Sequence, residues 1–277
     1  MDASTFRAYQ QIARAKAGID IRSGKESLIS ARVGSRMRQL GLKTERQYLD
    51  HLKSDPTGEE LILFLDAIAT NFTSFFREPD HFDKMREQVR RLLDQGQRRF
   101  RFWCAASSSG EEPYSLALAL ADLLEGKDWR ILATDISTRV LAVAERAIYP
   151  KARIKPVPPY LAMRYLEPAG LLGEEELFRV RAELRARVVF RRLNLAEPPF
   201  PMQGPLDAVL CRNVMIYFDL PVRQALVAEV DRLLRPGAPF IVGHSETLNG
   251  IRTRLEAERP SVYILPESEA RSRGARP

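Results

Sequence analysis

The sequence predicts an α/β protein in which a small all-helical N-terminal domain precedes a mostly parallel, doubly wound sheet that ends in a hairpin. Three observations carry this reading. Over the first 75 or so residues, apolar positions recur at three- and four-residue spacing without strand-like alternation. From about Arg98, short apolar runs alternate with helical stretches, the pattern of a parallel sheet covered on both faces. Near the end, two short runs flank Arg259-Pro260.

In chain order, Gly18, Gly24, Gly41 and the stretch Asp55-Pro56-Thr57-Gly58 divide the N-terminal region into about four helices. Thr57 is expected to cap the last of them, with Glu60 completing a capping box. Phe100 to Ala105 reads as the first strand, followed by Gly110 and a helix from Glu111 to Leu124. Ile131 to Thr134 is the second strand, and Ser137 to Ala147 has helical spacing. Val188 to Leu193, Leu206 to Cys211 and Pro239 to Gly243 are further buried strands. The runs Arg254 to Glu258 and Ser261 to Leu265 form the closing hairpin. Between Tyr149 and about Arg187, Pro150, Pro156, Pro158, Pro159, Pro168, Gly170 and Gly173 interrupt the alternation. That length is too great for a bare crossover, so an inserted subdomain is expected over residues 150–187. The domain limits are therefore 1–75 and 76–267, with a disordered polar tail at 268–277.

Composition narrows the class. In 277 residues, 45% are hydrophobic and 29% charged, an ordinary globular balance rather than a disordered one. No apolar run approaches the ~20 residues that span a bilayer, and the N-terminus has no signal pattern, so a cytoplasmic location without membrane insertion is expected. Two cysteines make no disulfide framework, and with three histidines they predict no metal centre. The net charge of +7 suits nucleic acid, an anionic membrane or an acidic protein partner alike.

In an open α/β sheet the ligand sits beyond the carboxyl ends of the strands. After the first strand, Ala105 to Pro113 supplies small residues, Gly110 and a helix start at Glu111. The full Gly-x-Gly-x-x-Gly pattern is missing, which disfavours a dinucleotide phosphate site. Glu111 and Glu112 would repel phosphate and welcome a cationic sulfonium or amine. Taken alone, acids at a helix start serve the helix dipole equally well. Asp135 ends the second strand, where a carboxylate commonly accepts two hydrogen bonds from a ribose diol. A solitary Asp there is more often a helix cap. Asn194 and Leu195 follow the third strand and suit an adenine edge and face. Cys211 to Phe218 follows the fourth. Together these positions describe a site for a nucleoside bearing a positive group, S-adenosylmethionine.

The motifs add a family. Thr70 to Glu78, Ala106 to Ser115, Ala133 to Ile136, Asn194-Leu195, Cys211 to Asp219 and Gly243 to Glu246 stand in an order that resembles the chemotaxis receptor methyltransferase (CheR) family, from near the N-terminus to about Pro266. The resemblance implies a class I methyltransferase domain carrying a small inserted β-subdomain, and a cytoplasmic protein-glutamate O-methyltransferase whose product is S-adenosylhomocysteine. It places Asn71, Thr73, Arg77, Glu111, Asp135, Asn194, Leu195, Asn213 and Val214 around the cofactor, beside Gly110 of the glycine turn. Arg77 and Tyr217 match the positions facing the reacting centre. A glutamate is ionised at neutral pH and needs orientation rather than a general base.

The resemblance also implies a basic helix facing the acidic methylation helices of a chemoreceptor. Arg32, Arg36 and Arg38 are its candidates, the first two being one helical turn apart. A solvated helix face is the commoner reason for such charges. The segment Tyr165 to Glu174 departs from the glycine-rich turn of members that tether to a receptor tail peptide, which argues against such tethering. Phe72 replaces an expected Leu or Glu.

Two other readings compete. A nucleic-acid methyltransferase is prompted by the charge, but Val157 precedes Pro158-Pro159-Tyr160 where amino-group methylases need Asn or Asp. No proline precedes Cys211, as cytosine-C5 chemistry requires. Cys104 and Cys211 read as buried small hydrophobes. A non-catalytic cofactor-sensing adaptor conflicts with intact Arg77, Asp135, Asn213 and Tyr217. A monomer is expected, with chemoreceptors rather than nucleic acid as partners.

Overall fold

The computed structural model describes residues 1–69 and 72–267. Helices α1 (Ala3–Ala17), α2 (Glu26–Leu40), α3 (Glu45–Ser54) and α4 (Glu59–Ile68) build the N-terminal region, as the spacing predicts. Asp2 caps α1 by accepting from the backbone N–H groups of Ser4 and Thr5, and Gly18 ends it at φ +66°. Thr44 and Gln47 form a reciprocal capping box at α3. The box expected from Thr57 and Glu60 is absent. Gly58 occupies that cap, and Asp55 Oδ2 accepts from the Glu60 N–H at 2.7 Å. The Glu60 side chain turns inward instead, because Arg36 and Tyr48 both donate to it. Tyr9, Tyr48 and Phe64 fill the small core, with the Tyr9 and Phe64 rings stacked at 5.3 Å.

A fifth helix, α5 (Asp80–Asp94), covers a stretch to which the sequence reading assigns no element. Its buried face of Phe82, Met85, Val89 and Leu92 follows helical periodicity and packs on the sheet. The remaining elements mix strands and helices. They are β1 (Arg99–Ala105), α6 (Glu111–Leu120), β2 (Asp128–Asp135), α7 (Thr138–Arg146), β3 (Ile148–Pro150), α8 (Lys151–Ile154), α9 (Pro159–Tyr165), β4 (Leu166–Leu172), β5 (Glu175–Val180), α10 (Ala182–Arg185), β6 (Val188–Arg192), β7 (Ala208–Cys211), α11 (Leu220–Leu233), β8 (Pro239–Val242), β9 (Glu256–Arg259) and β10 (Val262–Ile264). Helix α6 stops at Leu120, short of the expected Leu124.

The main sheet runs β6-β2-β1-β7-β8-β10-β9. Its first five strands pair in parallel, and β10 runs antiparallel to both β8 and β9, so the predicted closing hairpin is present. One face buries Phe100, Phe102, Trp129 and Ile131 with residues of α5 and α6, and the other buries Trp103, Val209 and Phe240 with residues of α11. The inserted segment forms its own antiparallel sheet in the order β3-β5-β4. No helix among the described residues is long and apolar enough to cross a membrane. The expected disordered tail lies outside the described residues, as does Asn71.

The helical region is joined to the rest at several points, one being Asp66 of α4, which accepts from Thr138 Oγ1 at 3.1 Å and the Arg139 N–H at 3.4 Å. Ile19 bridges Phe218, the Asp20 N–H donates to the Tyr217 carbonyl at 2.8 Å, and Arg14 pairs with Asp219 at 2.7 Å. These contacts place the end of α1 over the carboxyl end of β7.

Candidate active site

The chain leaves β1 toward β2 and β6 on one side and toward β7 and β8 on the other, so the strand order reverses between β1 and β7. Neighbouring loops diverge at such a point and leave a crevice. Here the crevice is a cleft of about 1000 Å³ including its open mouth. Thr73, Arg77, Asp135, Asn194, Leu195, Asn213, Val214 and Tyr217 all line it, eight of the residues singled out from sequence. Ala17, Ile19, Ile68 and Ala69 add an apolar wall from the ends of α1 and α4.

Asp135 is buried at the tip of β2. Its Oδ2 accepts from the Ser108 N–H at 2.8 Å and its Oδ1 from the Ser137 N–H at 2.9 Å. Burial pushes its pKa up, against these two bonds. Each oxygen keeps a second lone pair, so a diol remains a possible partner. Asn213 adopts the left-handed region at φ +59° and is fixed there by Glu246, whose Oε2 accepts from the Asn213 and Gly243 N–H groups, both at 2.6 Å. A Cβ on Gly243 would lie 2.3 Å from Asn213 Nδ2, so the backbone approaches here as only glycine permits.

Two expected ligand residues are placed elsewhere. Gly110 does not line the cleft: at φ +96° its missing Cβ would meet Ala144 Cβ and Tyr149 Oη, each at 2.8 Å. It is a packing glycine where α6 starts against α7. Glu111 is also outside the lining, fully buried and paired with Arg153 and Ser109. The next residue, Glu112, faces the cleft instead, because one step along a helix rotates the side chain by about 100°.

Glu112, paired in the sequence with Glu111 as an acid suited to a cationic group, has an unusual setting. Arg212 Nη1 donates to its Oε2 at 3.0 Å, the buried Cys104 thiol lies against the carboxylate, and Oε1 is buried with no N–H or O–H donor. Burial pushes its pKa up despite the guanidinium. Arg212 also reaches Glu78 Oε2 at 2.9 Å and the Arg77 carbonyl, and it lies 5.6 Å over the Phe82 ring. A buried guanidinium thus joins the segment carrying Arg77 to the tip of β7. Arg77 is half-buried, 5.5 Å over the ring of Phe72, and donates to the Phe72 carbonyl at 3.2 Å.

Asn194 spends its side chain on the helical region, donating from Nδ2 to the Lys16 carbonyl at 2.6 Å and accepting from the Ala196 N–H at 3.1 Å. The expected arginine face of α2 is likewise partly consumed. Arg36 forks onto the buried Glu60, and Arg32 donates to the carbonyls of Ile68 and Ala69 at the end of α4. Of the three arginines, Arg38 is exposed. Both cysteines are buried with thiol pKa values raised by burial, which agrees with a packing role.

This donor set fits S-adenosylmethionine. An orphaned buried carboxylate oxygen suits its positive charge, the acid ending β2 suits ribose, and Leu195 with Val214 supplies apolar cover. Comparison with known proteins points the same way. Residues 71–264 match the family model described as CheR methyltransferase, SAM binding domain, and residues 4–69 match its all-alpha domain. The chemotaxis protein methyltransferase of Salmonella typhimurium is 37% identical over 96% of this chain and 91% of its own length. The Escherichia coli (strain K12) protein of the same name is 38% identical over 94% and 90%. Chemotaxis protein methyltransferase 2 of Pseudomonas aeruginosa is 41% identical over 89% and 87%.

Proposed function

The chain belongs to the CheR methyltransferase family, and on that premise we propose that it methylates glutamate side chains of chemoreceptors, using S-adenosylmethionine and leaving methyl esters. The observation that carries the reading is the convergence of Asp135, Glu112, Asn213, Arg77 and Tyr217 on one cleft at the switch in strand order. The bound cofactor would supply an electrophilic methyl group on a sulfonium. Asp135 would hold the ribose hydroxyls, Leu195 and Val214 would cover the base, and Glu112 Oε1 would face the cationic end.

The substrate glutamate is already an anion at neutral pH, so the protein's task is to aim it. Arg77 stands at the cleft and can fork onto one carboxylate oxygen, leaving the other free to attack in line. Tyr217 can donate a further hydrogen bond from the opposite wall. Too firm a grip on the attacking oxygen would quench it, so both act by positioning. The apolar wall from α1 and α4 would shield the reacting atoms from water on that side.

In this reading residues 1–75 face the receptor, with Arg38 the open member of the basic set, and residues 76–267 hold the cofactor. The protein works as a monomer, without tail-peptide tethering or nucleic acid. The test uses methyl-labelled S-adenosylmethionine with receptor cytoplasmic fragments, followed by mild alkali. Label that enters receptor and leaves as methanol supports the ester. Alkali-stable label, or label on added RNA or DNA, refutes it. Arg77→Ala is expected to lower kcat/KM at least ~10²-fold by loss of orientation, and near-normal turnover would remove Arg77 from the mechanism.

A further inference from the structure

We propose that Glu78, His81 and His244 form a binding site for a first-row divalent cation, zinc being the best match to the donors. The sequence reading expects no metal, because its two cysteines and three histidines show no ligand spacing. The fold changes the premise. Helix α5 begins at Asp80 and the turn after β8 carries His244, and together they bring one ligand atom each from Glu78, His81 and His244 within 4.8 Å of one another.

A second observation is independent of that proximity. The His81 side chain is fully buried, and its Nδ1 has no hydrogen-bond partner. The tautomer follows from its other nitrogen. Nε2 lies 2.7 Å from Ser261 Oγ, which is itself 2.6 Å from the Pro260 carbonyl oxygen. With the hydroxyl proton on that carbonyl, Ser261 accepts from His81 Nε2–H and Nδ1 presents a bare lone pair. That lone pair faces Glu78 Oε2, another acceptor, at 3.4 Å. Two acceptors facing each other in a buried site repel unless a positive centre lies between them.

The surrounding charge agrees. Glu78 and Glu112 divide the guanidinium charge of Arg212 between them, while Asp80 stands beside His244. A dication would offset the excess of carboxylate. Ligands on a tetrahedral zinc, at about 2.0–2.2 Å from the ion, stand about 3.4 Å from each other. Glu78 and His81 already have that separation. His244 is half-exposed and able to swing, and Asp80, 3.2 Å from its Nε2, is in reach as a fourth ligand or an orienting partner. Two imidazoles with carboxylates favour zinc over magnesium or calcium, which prefer all-oxygen sites.

The site would clamp the cleft from outside. Glu78 follows Arg77 directly, and His244 lies in the turn whose Glu246 fixes Asn213. A cation between them ties those two walls together without touching the transferred methyl. The proposal stands apart from the methyl-transfer reading, and only the effect on cofactor affinity touches it.

The test is direct. The full chain, freed of any histidine tag and stripped with a chelator, is titrated with ZnCl₂ by calorimetry and with CoCl₂ by visible absorption. One equivalent of each is expected to bind, cobalt giving the intense bands of a four-coordinate site. His244→Ala, at an exposed ring, should abolish stoichiometric binding with the fold intact by circular dichroism. Ser261→Ala, which frees the orienting contact, should weaken it about 10–100-fold. Failure of the wild-type chain to bind one equivalent overturns the proposal and assigns the gap between His81 and Glu78 to a water. Binding unchanged in both variants overturns it equally, since the cation would then sit elsewhere.

Discussion

Replacing Gly110 by alanine separates two roles that a glycine before a cofactor-binding helix can play. If it lets the backbone approach the ligand, Gly110→Ala costs affinity. If it lets α6 pack on α7, the substitution costs stability. The structure supports the second role, since the new Cβ would stand 2.8 Å from both Ala144 Cβ and Tyr149 Oη at φ +96°. An alanine in left-handed backbone costs about 1–2 kcal/mol, and overpacking of a buried site costs about 1–3 kcal/mol. The sum, about 2–5 kcal/mol, lowers Tm by about 4–20 °C for a chain of this size. Urea unfolding gives the stability and calorimetry the S-adenosylmethionine Kd of the folded fraction. Ala144→Gly in the same chain removes one of the two clashing atoms. It should restore about 1–2 kcal/mol beyond the additive expectation, despite the helix cost of glycine. An unchanged Tm with Kd weakened tenfold would refute the packing argument and return Gly110 to the ligand site.

Three further outcomes are expected. Glu112→Gln should weaken S-adenosylmethionine binding about 10–100-fold, the worth of a charged hydrogen bond of about 1.5–3 kcal/mol, while leaving the melting temperature near that of wild type. Because burial raises the Glu112 pKa, and the cation favours its ionised form, wild-type affinity should fall on acidification at a pH above the ordinary carboxylate value of about 4.3. Calorimetry as pH is lowered from 8 should show that step above the ordinary carboxylate range, and Glu112→Gln should flatten it. Glu60 behaves oppositely: burial raises its pKa, but the Arg36 and Tyr48 bonds outweigh this and hold it low. Its stabilisation is complete above the unfolded value and lost as pH falls through the lower folded one. Arg36→Ala, which leaves Glu60 buried with Tyr48 and the half-exposed His51 beside it, should cost about 3 kcal/mol in urea unfolding at pH 7, and a loss below 1 kcal/mol would show the pair to be incidental.

Much of the fold was legible because its signals are local. Each sheet strand foreseen from an apolar run is present, since buried parallel strands need continuous apolar sequence. Helix α5 carries its apolar residues at helical spacing, Phe82, Met85, Val89 and Leu92, but charged residues fill the gaps between them and dominate the linear sequence. The strand ends told which residues meet at the cleft, since topology alone sends them there. What they could not tell was phase. Glu111 and Glu112 are adjacent acids at one helix start, and only the direction in which α6 leaves β1 decides which one faces the ligand. Arg212 was hidden for a related reason: between Cys211 and Asn213 it reads as one more polar residue, and its burial depends on Glu78 and Glu112 arriving from two other segments. The acceptors of Arg32 and Arg36, the carbonyls ending α4 and Glu60, lie in another helix and so do not show along α2 itself.

The cleft draws its walls from both regions of the chain, Ala17, Ile19, Ile68 and Ala69 on one side and the strand ends on the other. A ligand held there touches both and is bound fully only while they stay docked. Cofactor occupancy and docking are then linked quantities, and each must strengthen the other by the same factor. A receptor helix that levers the helical region away would hasten product release, and one that presses it down would prolong cofactor residence. The helical region need not contact the methyl group to govern turnover, because it forms one face of the compartment in which the reaction takes place.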